Sequence, residues 1–194
     1  MSDKKRVLYI ENDGNLVDSL REVIEQTGAI ELTVACYMDE AKRIIKEKPP
    51  FDAYIVDIML PRTKEDLGIL EAKESERMRL LDKLIRVTDY GSEPLDPKVF
   101  TLRGEIDRID EEIERLLQMD GGLELVKAIA EKNSGRDDPD PLEVPVVFFT
   151  ARAAPELKDK GKRYVRPDMF RWFEKPEDED VVAKELMRLL SLEV

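Results

Sequence analysis

Short apolar runs, each stopped by a charged or polar residue and followed by a helix-period segment, constrain this chain more than any other feature. Val7-Leu8-Tyr9-Ile10 is the first, and acids follow it at once. Such a run reads as a strand buried on both faces, the kind found in parallel sheets. Leu16, Val17, Leu20, Val23 and Ile24 come next at helical spacing, with Gly28 as the stop. Ile30 to Ala35 alternates and predicts a second strand. Ala41, Ile44 and Ile45 mark a second helix, closed by Lys46, Lys48 and Pro49-Pro50. Phe51 to Leu60 predicts a third strand, nearly all apolar except for Asp52 and Asp57. Strand-helix-strand order of this kind predicts right-handed crossovers and a parallel sheet with helices on both faces.

The pattern then breaks off at Arg62 and resumes at Met119. Gly121-Gly122 precedes a helix carrying Leu123, Val126 and Ile129. Residues 134–141 read as a loop, Val144 to Thr150 as a fourth strand and Phe170 to Phe173 as a short fifth. Val182, Leu186 and Leu189 give a last helix its apolar face. A stretch bounded by Pro155 and Gly161, with Leu157 its one strong apolar residue, predicts a poor helix.

The interruption, residues 62–118, has a different texture. Val99, Leu102, Ile106, Ile109, Ile113 and Leu116 recur at intervals of 3, 4, 3, 4 and 3, an a/d heptad seam of coiled-coil type. Before it, Leu67, Leu70, Met78, Leu81 and Ile85 lie near one face, with Glu74 interrupting. Turn residues Gly91 to Pro97 separate the two stretches. The expected form is an antiparallel helical hairpin, each helix roughly 30–40 Å long. It packs on itself, or serves as an arm for dimerisation or partner docking.

Composition removes several chemistries. The chain has no histidine, so it has no Ser-His-Asp triad, no imidazole base and no His-ligated zinc. Cys36 is the single cysteine, which excludes an internal disulfide and fits a reducing, cytoplasmic setting. With 44 acids against 32 bases the net charge is −12, a field that repels nucleic-acid phosphates. No apolar stretch is long enough for a signal peptide or a membrane span. None of the nine glycines forms a dinucleotide fingerprint or a phosphate loop.

Ligands of parallel α/β sheets bind at the carboxyl ends of the strands. There this sequence puts Glu11, Asn12 and Asp13, then Asp57, then Thr150, then Glu174, Lys175 and Pro176. Clustered carboxylates attract a hard divalent ion such as Mg²⁺. A carboxylate can also attack phosphorus, forming an acyl phosphate, while a lysine and a hydroxyl hold phosphoryl oxygens. Glu11 and Asn12 could instead only cap the first helix, as Asn15 or Asp13 also could, and Asp13 is the reserve ligand should the strand end shift.

The pieces VLYIEND, FDAYIVDIMLP, MDGGLELVKAI, PVVFFTAR and WFEKP, in that order, resemble the receiver domain of two-component response regulators. The resemblance covers 1–61 and 119–194, with 62–118 as a helical insertion. It implies a (βα)5 flavodoxin-like fold, strand order 2-1-3-4-5, with Asp57 as phosphoryl acceptor. It implies that Glu11, Asn12, Asp57 and the Met59 carbonyl hold Mg²⁺, that Thr150 is the switch hydroxyl and that Lys175 meets the phosphoryl group. It also implies a cis Lys175-Pro176 bond and a mobile aromatic at Trp172. Asn12 departs from the usual second acid. The chain would be a single-domain phosphoacceptor rather than a turnover enzyme, charged by a histidine kinase, a phosphotransfer protein or a small phosphodonor. The competing expectation is a pseudo-receiver scaffold that binds partners through 62–118 and takes no phosphate. A haloacid-dehalogenase-like phosphohydrolase needs an Asp where this chain has Met59.

Overall fold

The structure, a computed structural model, describes residues 4–89, 97–136, 139–151, 155–175 and 179–192. Five parallel strands form the central sheet: β1 (Lys5–Ile10), β2 (Ile30–Ala35), β3 (Ala53–Val56), β6 (Val146–Thr150) and β7 (Phe170–Glu174). Their spatial order is β2-β1-β3-β6-β7. Counting only the strands of this sheet, that is the order 2-1-3-4-5. The helices that follow these strands are α1 (Gly14–Gln26), α2 (Met38–Glu47), α5 (Gly121–Ser134), α6 (Pro155–Gly161) and α7 (Glu179–Leu189).

The inner strands β1, β3 and β6 are apolar on both sides, β1 from Val7 onward, because both sides are covered. Leu8, Ile10, Tyr54, Val56, Val146 and Phe148 face one core, packed with residues of α2, α5 and α6. Their neighbours Val7, Tyr9, Ala53, Ile55, Val147 and Phe149 face the other, packed with residues of α1 and α7. Alternation along a pleated strand sends consecutive side chains to opposite faces, so a doubly covered strand needs an unbroken apolar run. The α6 helix has only seven residues and buries Leu157 and Gly161, in keeping with its poor sequence. Gly28, just past α1, has φ +64°, the left-handed conformation in which glycine ends helices. Among the described residues, no helix is long and apolar enough to cross a membrane.

The third strand is shorter than the run Phe51 to Leu60 predicts. Pairing ends after Val56, with the Asp57 N–H donating to the Ile10 carbonyl at 2.9 Å. The Asp57 side chain then accepts the Met59 N–H at 3.2 Å, which turns the backbone out of the ladder. Leu60–Pro61 (β4) instead joins a separate two-stranded sheet with Leu117–Gln118 (β5).

Residues 64–117 form a compact unit apart from the sheet-bearing one. It consists of α3 (Lys64–Asp89) and α4 (Pro97–Leu116). They run antiparallel: Lys73 pairs with Glu112 at 2.7 Å, and Arg77, further along α3, pairs with Asp110, earlier on α4. The α4 seam faces inward as its heptads predict, with Val99, Ile106 and Ile109 buried. The face expected for α3 is corrected. Met78 and Ile85 are 59% and 54% exposed, while Leu80 is buried and Leu84 packs beside it. The residues of α3 that meet α4 include Lys73, Arg77, Leu80, Leu81 and Leu84, against Leu102, Ile106, Ile109, Asp110, Glu112 and Ile113. Two of them are cations held by α4 carboxylates, so an apolar count along the sequence misses this seam. The turn expected between the helices lies outside the described residues, as does the Lys175-Pro176 bond.

Two glycines separate packing from propensity. A Cβ on Gly122 would stand 2.1 Å from the Asp57 carbonyl oxygen and 2.9 Å from Ile58 Cα, both backbone atoms that cannot yield locally. A Cβ on Gly104, within α4, would meet nothing within 4 Å. Gly122→Ala should therefore cost about 1–3 kcal/mol, and Gly104→Ala should gain about 1 kcal/mol. Urea titration followed by circular dichroism checks both signs.

Candidate functional site

Four strand ends and the start of one helix build the site. At the end of β1, the Glu11 N–H donates to the Ala35 carbonyl at 3.0 Å, which holds Glu11 beside the edge of β2. Asp57 leaves β3 next door. Thr150 ends β6, fully buried, and its carbonyl accepts the Lys175 N–H at 2.8 Å. That bond places Lys175 just past β7, with its side chain directed back across the strand ends.

The Lys175 ammonium bridges two carboxylates. It donates to Asp57 Oδ2 at 2.8 Å and to Glu11 Oε2 at 2.6 Å. Its charge also lies over the Phe149 ring, 5.5 Å from the centroid, a cation–π contact. All three ionic side chains are withdrawn from water: Glu11 1%, Asp57 8% and Lys175 12% exposed. The remaining carboxylate oxygens take backbone donors. Glu11 Oε1 accepts the Asp13 N–H at 3.0 Å, and Asp57 Oδ1 accepts the Met59 N–H.

Two negative charges and one positive leave a buried excess of negative charge. Glu11 registers it. Burial, then the neighbouring Asp57 charge, push its carboxyl up from the ordinary 4.5 to about 7, against the pull of Lys175. For Lys175, burial alone would lower the ammonium's pKa. Asp57 and Glu11 outweigh it, and the net direction is up.

The sequence-predicted residues meet in part by direct contact. Asp57, Glu11 and Lys175 touch, and Met59 reaches Asp57 through its N–H. Thr150 joins through its backbone. Asn12, next to Glu11, is half-buried. Asp13 is engaged otherwise: it is exposed, and its Oδ1 accepts the Asn15 and Leu16 N–H groups at 2.9 and 3.4 Å as the N-cap of α1. Trp172 lies in an aromatic cluster, 5.5 Å from the Phe148 ring and 6.4 Å from the Phe170 ring. Two contributors were not singled out from sequence. Phe149 supports the ammonium, but nothing in an apolar run distinguishes it. Gly122 lets α5 begin against the Asp57 backbone, its N–H donating to the Ile58 carbonyl at 3.0 Å. The Gly121-Gly122 doublet was its signal.

The donors suit a hard cation. The residues expected to hold it, Glu11, Asn12, Asp57 and Met59, would give carboxylate, amide and main-chain oxygens, with no sulfur or imidazole among them. The excess negative charge on Glu11 and Asp57 favours such an ion. Two carboxylates are a lean set, and among the described residues no group of three or more acidic, histidine or cysteine side chains gathers in this way.

The raised Glu11 pKa fixes a pH dependence. A carboxyl that binds its proton more tightly folded than unfolded stabilises the fold when protonated. That stability is present below pH 4.5 and is lost as pH rises through about 7. Between those limits, metal-free wild type should lose up to about 3 kcal/mol relative to Glu11→Gln. Urea titrations of both chains across this range, with chelator, measure the difference. Added Mg²⁺ should flatten it.

No protein-family model matches the chain, and no curated protein matches it. Solved structures do. A CheY-like response regulator receiver domain from Methanospirillum hungatei JF-1 aligns over 97% of this chain and 95% of its own, with TM-score 0.56 and 15% identity. The signal receiver domain of an HD domain-containing protein from Pseudomonas fluorescens Pf-5 aligns over 97% and 96%, at 0.56 and 13%. Chemotaxis protein CheY4 from Vibrio cholerae aligns over 96% and 99%, at 0.51 and 17%. Identities this low speak to fold alone. Strand order and these superpositions together give the chain the receiver, CheY-like fold of response regulators, a flavodoxin-like parallel sheet carrying an inserted pair of helices.

Proposed function

We propose that this chain is a phosphoacceptor regulator, in which Asp57 takes a phosphoryl group from an external donor and the change is passed on by protein contacts. The observation that carries this reading is the Lys175 ammonium, 2.8 Å from Asp57 and 2.6 Å from Glu11 in a withdrawn pocket. The donor must be external because the chain has no histidine. A histidine kinase, a phosphotransfer protein or a small acyl phosphate has the required chemistry.

In the transfer, an Asp57 carboxylate oxygen attacks phosphorus in line. The new O–P bond forms as the bond from phosphorus to the donor nitrogen or oxygen breaks, and its electron pair leaves with the donor. An ionised carboxylate needs no general base. Lys175 exchanges its bond to Asp57 for one to a phosphoryl oxygen, and the Thr150 hydroxyl donates to another. Glu11, Asn12, Asp57 and the Met59 carbonyl are the residues that would hold Mg²⁺. When bound, it supplies positive charge against the phosphoryl oxygens. Hydrolysis of the acyl phosphate resets the chain, so its role is regulatory. In this reading 1–61 and 119–194 are the receiver, and 62–118 is the arm that contacts partners.

A second reading, a scaffold that never takes phosphate, draws support from Asn12 in place of a second acid and from the lean carboxylate set. One assay separates the two. Acetyl phosphate with Mg²⁺ should yield a hydroxylamine-labile adduct on the wild-type chain and none on Asp57→Asn. A wild-type chain that remains unmodified favours the scaffold. Asn12→Asp should bind Mg²⁺ several-fold tighter than wild type, because ligand charge sets affinity at oxygen sites. Calorimetry and the fluorescence of Trp172, the single tryptophan, give the comparison.

A further inference from the structure

The paired helices α3 and α4 hold a groove of about 540 Å³ that plays no part in the chemistry of Asp57. Val87 and Leu102 form its floor, with Thr101 beside them, and Lys83, Arg86 and Lys98 line it as well. Among the described residues that line it, every charged one is a cation, in a chain whose net charge is −12. On the same two helices, Glu112 is held by Lys73 and Asp110 by Arg77.

We propose that this groove docks an acidic amphipathic helix of a partner protein. A trough between two packed helices accepts apolar side chains that recur at i, i+3, i+4 and i+7 on a third. Lys83 and Arg86, three residues apart on α3, then meet carboxylates along the α3 side of that stripe. A strongly acidic chain repels an acidic partner over most of its surface and receives it only where cations gather, which gives specificity as well as attraction. The same charge argues against a second copy as the occupant, since two bodies of −12 repel. This deepens the reading of residues 62–118 as a partner-binding arm and does not require Asp57 to be phosphorylated.

The test uses the full chain and its Asp57→Asn form, so loss of phosphoacceptor function leaves the result intact. The probe is a labelled helical peptide with Leu at i, i+3, i+4 and i+7 and Glu elsewhere, read by fluorescence anisotropy. A twin peptide with Lys in place of Glu is the control. The Glu peptide should bind both chains and the Lys peptide neither. Lys83→Glu with Arg86→Glu, both exposed positions, should weaken the Glu peptide by about tenfold or more and admit the Lys peptide. Thr101→Glu provides an independent block should the double variant lose its helical circular dichroism. Equal binding of the two peptides, or Glu-peptide binding unchanged in these variants, overturns the proposal. So does sedimentation showing a wild-type dimer that Lys83→Glu with Arg86→Glu dissolves, which would make a second copy the occupant.

Discussion

One ammonium group between two buried carboxylates organises the sheet-bearing unit of this chain. Lys175 lies 164 positions from Glu11 and 118 from Asp57, so their contact exists only when β1, β3 and β7 have taken their places. Withdrawing any of the three charges alone from water costs several kcal/mol, in order of magnitude. Each is tolerable because the others are there. A sheet with a slipped register would bury a carboxylate opposite nothing, which penalises misassembly as well as favouring the native order. The arrangement is unbalanced by one negative charge. Burial, and after it the neighbouring Asp57 charge, raises the Glu11 carboxyl.

The loop that leaves Asp57 obeys tight geometry. The Asp57 side chain closes the turn through the Met59 N–H, and Gly122 lets α5 start against the same backbone. The inserted helices occupy the chain between these two contacts. Their packing mixes two devices. The α4 seam is apolar throughout, whereas α3 places Lys73 and Arg77 among leucines and meets acids on its partner. Charged seam positions fix the register of two helices, since a shift by one turn would set cation against apolar side chain. In the proposed function this unit gives the phosphoacceptor something to present to other proteins.

Most of the fold was legible in the residues. The runs at Val7, Ala53 and Val146 called for a parallel sheet covered on both faces, Ile30 and Phe170 began two further strands, and polar residues after the runs marked where chemistry could stand. Asp57 was visible because a carboxylate in an apolar run needs a reason. Lys175 was visible because it follows a strand. The α3 seam was not legible, because its charged members look like surface residues until their partners on α4 are known. The end of β3 at Val56 was hidden too. Nothing in Ile58-Met59-Leu60 announces a turn, which is made by a side chain accepting a backbone N–H.

Sequence by itself determined what is local or periodic: strand-forming runs, helical faces, the heptads of α4, and the absence of histidine that turns the chemistry toward carboxylates. Tertiary structure alone decided what depends on distance between remote residues. It set the Lys175 bridge and brought Gly122 against the Asp57 carbonyl. It also chose which stripe of α3 is buried. Periodicity reports which way a side chain faces along its own element. Which atoms it meets is fixed only when elements pack, because contact energies fall off within a few ångströms.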